Sequence, residues 1–223
     1  NIKASLEAMG NDSESLKQTL TGDINTQVNN GVLYGINIDK LMSFTSQTVT
    51  DIFNEISKAP STDVRNLAIK KASDWINTQQ DVPKTKFSYL EIKASIEQGI
   101  SKKASISMNN STIDLKATGG FDLGNNTLNF NAVVLNNGGI ATNIKPLDAY
   151  IKKAPLELLV TGTIQKPLYG PNIQGFAVNV LQLAKTDLTN QGISKMVAAT
   201  PPNSKTSKTA TELFVDSLSS LTR

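Results

Sequence analysis

The side chains able to do chemistry in this chain are carboxylates, lysines and hydroxyls, because histidine and cysteine are both absent. That excludes a Ser–His–Asp triad, a His- or Cys-held metal, a thiolate nucleophile and any disulfide. A cysteine-free chain is compatible with an oxidising compartment. The 19 Asp and Glu are scattered, and no pair falls at a spacing that demands general acid/base work. Asp114 and Asp122 are expected on adjacent strands, where two carboxylates could flank a glycosidic bond. Both read first as solvated strand-face and turn residues, because exposed carboxylates are the norm, and nothing in the sequence favours hydrolysis. Lys102-Lys103 and Lys152-Lys153 read as solvated turns before they read as headgroup or phosphate contacts. Gly119-Gly120 and Gly138-Gly139 lack the Lys-Ser/Thr that follows a phosphate loop, and turn geometry accounts for them. The net charge of +3 comes from lysine, with Arg65 and Arg223 the only arginines. Bidentate recognition of guanine and phosphate favours arginine, so no nucleic-acid partner is expected. No metal and no cofactor are expected either.

The elements that would carry these residues follow from periodicity. Ile2, Ala4, Leu6 and Ala8 alternate with Lys3, Ser5 and Glu7, which predicts a strand over about residues 2–9. Gly10-Asn-Asp-Ser reads as a turn, and a strand region over about 18–34 follows, broken at Asn29-Asn30-Gly31. The period then lengthens. Ile38, Leu41, Met42, Val49, Ile52, Phe53 and Ile56 form a helical stripe interrupted at Thr45. A second helix is signalled by Thr62 as N-cap, with Val64, Leu67, Ala68, Ala72, Trp75 and Ile76 as its stripe and Trp75 as core. The two make a helical hairpin at about 38–80.

From Thr85 the period returns to two. Tight turns are marked at Asn109-Asn110, Asn125-Asn126 and Asn136-Asn137-Gly138, because Asn and Gly tolerate positive φ. Residues 146–154 are expected as a short helix or loop, 156–164 as a strand and about 174–186 as a helix with Phe176, Val180, Leu181 and Ala184 on one face. The expected fold class is α+β: an antiparallel, curved sheet or groove of about seven to nine meandering strands, with the helical hairpin and further short helices packed on it. Residues 1–190 form the β-rich domain, and 191–223 a linker plus a short amphipathic helix (Phe214, Leu218, Leu221). The alternation already under way at Ile2, without an initiating Met, reads as a piece cut from a longer protein. Any membrane anchor or export signal would then lie upstream.

One constellation remains. Leu90, Ile92, Leu115, Leu128, Phe130, Ala132 and Val134 would line one face of the sheet. Covered by the helices, it is an ordinary core. Left partly open, it is an apolar groove long enough for an acyl chain, with Ala94, Ala117 and Ala132 leaving room. On the groove reading, Ala132→Trp blocks acyl binding and leaves the fold intact.

The order of several pieces resembles the C-terminal region of the AsmA family over about residues 1–185. These pieces are Gly10; Leu16, Leu20 and Gly22; Gly31-Val-Leu-Tyr-Gly35-Ile-Asn-Ile38; Thr85 and Phe87; Gly99-Ile100; Gly120-Phe-Asp122-Leu123; and Pro155-Leu156, Gly162-Thr163 and Pro167. The closing segment departs from the family pattern at Tyr169-Gly-Pro171-Asn. The resemblance implies a non-enzymatic periplasmic domain of a Gram-negative bacterium, anchored to the inner membrane through an upstream helix. It also implies an acyl-chain groove and a part in phospholipid transfer or in outer-membrane lipid homeostasis and assembly. The implied partners are phospholipid or another acyl lipid and an envelope protein. A structural or docking module contacting an envelope protein is the rival reading, and a carboxylate hydrolase a third.

Overall fold

A computed structural model describes residues 1–58, 66–67, 70–71, 83–142 and 144–190. Eight strands form one open antiparallel sheet in sequence order, a pure meander. They are β1 (Ile2–Glu7), β2 (Thr21–Tyr34), β3 (Lys84–Ile96), β4 (Ile100–Asn109), β5 (Ile113–Asp122), β6 (Thr127–Asn136), β7 (Leu156–Gly162) and β8 (Pro167–Pro171). The helices are α1 (Ser13–Thr19) between β1 and β2, α2 (Ile38–Lys58) after β2, α3 (Lys145–Lys153) after β6 and α4 (Ile173–Asn190) after β8. The fold is α+β, within the expected strand number. Residues 66–67 and 70–71 are helical, and the rest of the second helix expected for the hairpin lies outside the described residues. Trp75 and the expected linker and terminal helix of 191–223 lie outside the described residues.

Three elements differ from the sequence reading. Residues 13–19, expected as the end of a turn and, from about 18, the start of a strand, form a short helix capped by Asp12, whose carboxylate accepts the Ser15 N–H at 2.8 Å. Seven residues are too few for periodicity to register, and the cap pairs Asp with Ser instead of Glu. Pro167–Pro171, to which the sequence pattern assigned no element, is the edge strand β8. An edge needs no outward donor, so proline is tolerated there. Gly119 and Gly120 lie within β5, not in a turn. A Cβ at Gly119 would sit 2.1 Å from the Asn129 carbonyl oxygen, and one at Gly120 2.1 Å from that of Ser101. Close backbone approach, not turn geometry, requires these glycines.

The Asn-rich turns fall where expected and carry hydrogen bonds. Asn110 Oδ1 accepts the N–H groups of Thr112 and Ile113, while its Nδ2 donates to Lys86 O at 2.9 Å and Asp39 Oδ1 at 3.1 Å. Buried Asn136 similarly holds Gly138 and Ile140. Asn30 does not end β2. It adopts a left-handed φ of 56° inside the strand, and pairing with β3 resumes in the same register at Gly31 and Phe87. The buried positions change parity there. Thr85 and Phe87 are buried with Ser88 exposed, whereas Ala94 and Ile96 are buried with Ser95 exposed.

This switch presents Thr85 to the start of α2. Its hydroxyl accepts the Ile38 N–H at 2.9 Å and donates to Ile36 O at 2.8 Å. One otherwise unpaired helix donor is thereby satisfied. Along α2 the buried residues include Leu41, Met42, Val49 and Ile52. Thr45 is part of this buried stripe and not a break in it, because its hydroxyl donates back to Leu41 O at 2.8 Å. Helix α4 packs on α2, α3 and β7, burying Phe176, Val180, Leu181 and Ala184 as expected. Each fully buried large aliphatic side chain contributes about 1.5–3 kcal/mol. One cluster joins these helices to the sheet.

Candidate apolar groove

Cross-strand pairing sorts the apolar face into rows. One runs Val28, Leu90, Met108, Leu115, Val134, Leu156. The next runs Ile2, Thr26, Ile92, Ile106, Ala117, Ala132, Leu158. Then Ala4, Ile24 and Ala94 lie in line from one side, while Gly119, Phe130, Val160 and Tyr169 lie in line from the other. Leu6, Gly22 and Ile96 follow, with Phe121 paired to Leu128. All seven residues expected to line a groove therefore belong to one face.

They do not share one environment. Leu115, Phe130, Ala132 and Val134 are buried, with Val134 fully inaccessible and Ala132 at 3%. Leu90, Ile92 and Leu128 are half-buried. Ala132 lies between Ala117 and Leu158 in the covered region, so a Trp there would overpack the core instead of blocking an open channel. The cover is uneven along the sheet. Ile2 is 73% exposed and Leu6 43%, with Ile24, Ile92 and Ile106 half-buried beside them. These first-strand residues are groove candidates that the sequence reading left out. Their alternation was visible, but not which end of the sheet the helices would leave bare.

At the lower end of this region α1 meets two turns. The Gly99 N–H donates to Leu20 O at 2.8 Å, and Gln18 approaches Gly124. A register shift in β4 between Ser101 and Ala104 bends the sheet nearby. Ser101 Oγ is buried there and, among the described residues, is the one buried side-chain oxygen without a hydrogen-bond partner.

The opposite face of β1–β3 is polar. Gln27 donates to Glu91 at 2.9 Å, and Lys93 pairs with the same carboxylate at 2.9 Å. Gln27 first and Lys93 second hold that carboxyl below its ordinary range. On the groove side, burial raises the Tyr169 hydroxyl. At α2, burial alone would raise the Asp51 carboxyl, but bonds from Lys71 and Gln47 outweigh it and hold it low.

Asp114 and Asp122 are not on adjacent strands. Both lie in β5, eight residues and about 27 Å apart at strand rise. They cannot act on one bond, and Asp122 instead accepts the Asn125 N–H at 2.9 Å. Lys102 and Lys103 are exposed at the β4 irregularity, and Lys152 and Lys153 are exposed in the last turn of α3, where cations suit the helix dipole. Among the described residues no cluster of acidic side chains could hold a metal, and no helix is long and apolar enough to cross a membrane. No family model, curated protein or solved structure matches the chain.

Proposed function

We propose that this domain binds an acyl lipid on the uncovered part of its apolar face, as a non-enzymatic module of the periplasm. The observation that carries this reading is the unequal cover of a continuous apolar face. Beneath the helices Leu115, Ala132, Val134, Leu156 and Leu158 of this face are buried, whereas towards the β1 edge Ile2, Leu6, Ile24 and Ile92 stay partly in water. An alkyl chain laid along these residues would gain about 0.8 kcal/mol per buried methylene, with its headgroup left at the wet rim. The AsmA-like order of motifs supports the same class of ligand, a phospholipid or related acyl lipid, and a part in envelope lipid homeostasis.

The sealed half favours a second reading, a structural module that docks on an envelope protein. One experiment separates the two. The purified domain is titrated with a fluorescent fatty acid and examined by native mass spectrometry with lipid extraction. Saturable binding that weakens about tenfold or more in Leu6→Gln/Ile24→Gln supports the groove, since losing two apolar contacts of this size removes roughly 1.4 kcal/mol or more. A parent protein that neither carries nor takes up acyl lipid overturns it in favour of docking.

A further inference from the structure

The sheet's two edges are guarded differently. β8 is five residues long, has proline at both ends and runs directly into α4. Short, proline-bounded edges resist further pairing. β1 has neither protection: all six of its residues are exposed, and none is proline. Its hydrogen-bonding phase is known. Gln27 N–H donates to Asn1 O, and the Asn1 amino group donates to Gln27 O, both at 2.8 Å. Asn1 therefore forms a hydrogen-bonded pair, as do Lys3, Ser5 and Glu7 in turn, while Ile2, Ala4 and Leu6 direct N–H and C=O away from the sheet.

We propose that this edge pairs antiparallel with β1 of a second copy of the chain, across a two-fold axis at Ser5. The charges select that register. Centred on Ser5, Ala4 meets Leu6 of the second copy as a hydrogen-bonded pair, twice by symmetry. Lys3 meets the second copy's Glu7 as a non-hydrogen-bonded pair, the geometry that brings side chains closest. The two ion pairs flank a Ser5–Ser5 contact. Centred on Lys3, like charges would face each other. Centred on Ala4 or Leu6, neither ion pair would form. Among the described residues Lys3 and Glu7 have no ion-pair partner within the chain. The interface is isologous, as a two-fold requires. It would join two sheets into one and bring the bare Ile2 and Leu6 of both copies onto a common apolar face. The pairing stands on edge geometry and charge, independently of any lipid.

The test is sedimentation velocity on the full chain from about 10 μM to about 1 mM, spanning the range of a weak dimer. The parent is expected to show a concentration-dependent dimer, weakened by added salt. Lys3→Glu sets Glu opposite Glu twice and is expected to weaken the dimer about tenfold or more. Glu7→Lys should do the same, and the doubly reversed Lys3→Glu/Glu7→Lys should recover the parent affinity within about threefold. Ala4→Pro removes an N–H that points away from β2, so it should abolish the dimer and leave the urea midpoint within reach of the parent's. A parent that stays monomeric throughout overturns the proposal. So does a dimer that Ala4→Pro spares, or one indifferent to charge reversal. Charge reversal needs no change of backbone, which keeps the test decisive if Ala4→Pro misfolds.

Discussion

Leu6 and Leu156 lie on the same face of one sheet but should respond very differently to truncation. Leu156 is fully buried, paired with Val134 on β6, and belongs to the cluster under the helices. Leu156→Ala removes its transfer free energy and leaves a cavity that the close-packed surroundings only partly fill, at a cost of about 2–5 kcal/mol. Leu6 is 43% exposed on β1, so just over half of its surface is withdrawn from water. Full burial of a leucine contributes about 1.5–3 kcal/mol. Solvent can enter where Leu6 is trimmed, so no cavity term is added. Leu6→Ala should therefore cost about 1 kcal/mol, a loss of up to roughly half the full-burial value. Urea unfolding monitored by tryptophan fluorescence and circular dichroism measures both, compared at equal m-values. A Leu6→Ala cost equal to that of Leu156→Ala would mean that β1 is covered like β7. The uneven-cover argument, and the lipid groove built on it, would then fail.

Thr85→Val keeps shape but strands two buried groups, the Ile38 N–H and the Ile36 carbonyl, and should cost about 2–4 kcal/mol in urea unfolding. Thr45→Val is the control. The Leu41 carbonyl that its hydroxyl joins is also reached along the helix, so the change should stay below about 1 kcal/mol. Gly120→Ala forces a Cβ to 2.1 Å from the Ser101 carbonyl oxygen, and should lower the thermal midpoint more than Gly124→Ala, whose nearest neighbour is the movable Gln18 side chain at 3.3 Å. Acid should weaken the fold in a set direction. Asp12 is held below its ordinary 3.8 first by the Ser15 backbone bond, and Asp122 likewise by Asn125. Their stabilisation is complete above the unfolded carboxylate range and is lost as pH falls through the lower folded values. The urea midpoint should thus drop as pH falls below the ordinary carboxylate range, about 4, and Asp12→Asn should flatten part of that drop.

Local pattern sufficed for β4, β6, β7 and the second half of β3, because one wet and one dry face impose a period of two on them. The Asn-Asn turns were legible for a similar reason: Asn126 adopts a φ of 54°, which few other residues tolerate. The stripes of α2 and α4 followed from the 3.6 period. α1 was not legible, since its capping signal is a single Asp–Ser pair. Neither was the role of Gly119 and Gly120, which answers to the backbone of strands distant in sequence. Asp114 and Asp122 were misplaced because the boundary of β5 depends on its pairing with β6, not on its own residues.

The seven expected groove residues show the division most clearly. Which face they share is a property of the sequence, since alternation assigns every second residue to one side. Whether that face is core or surface is not. The same Leu, Ile and Ala pattern is sealed at Val134 and open at Ile2. The difference is set by where α2, α3 and α4 come to rest. Their placement rests on bonds between residues far apart in the chain, such as Thr85 with Ile38 and Asn110 with Asp39. A residue's apolar character fixes what it prefers to touch, but only the tertiary structure supplies, or withholds, something to cover it.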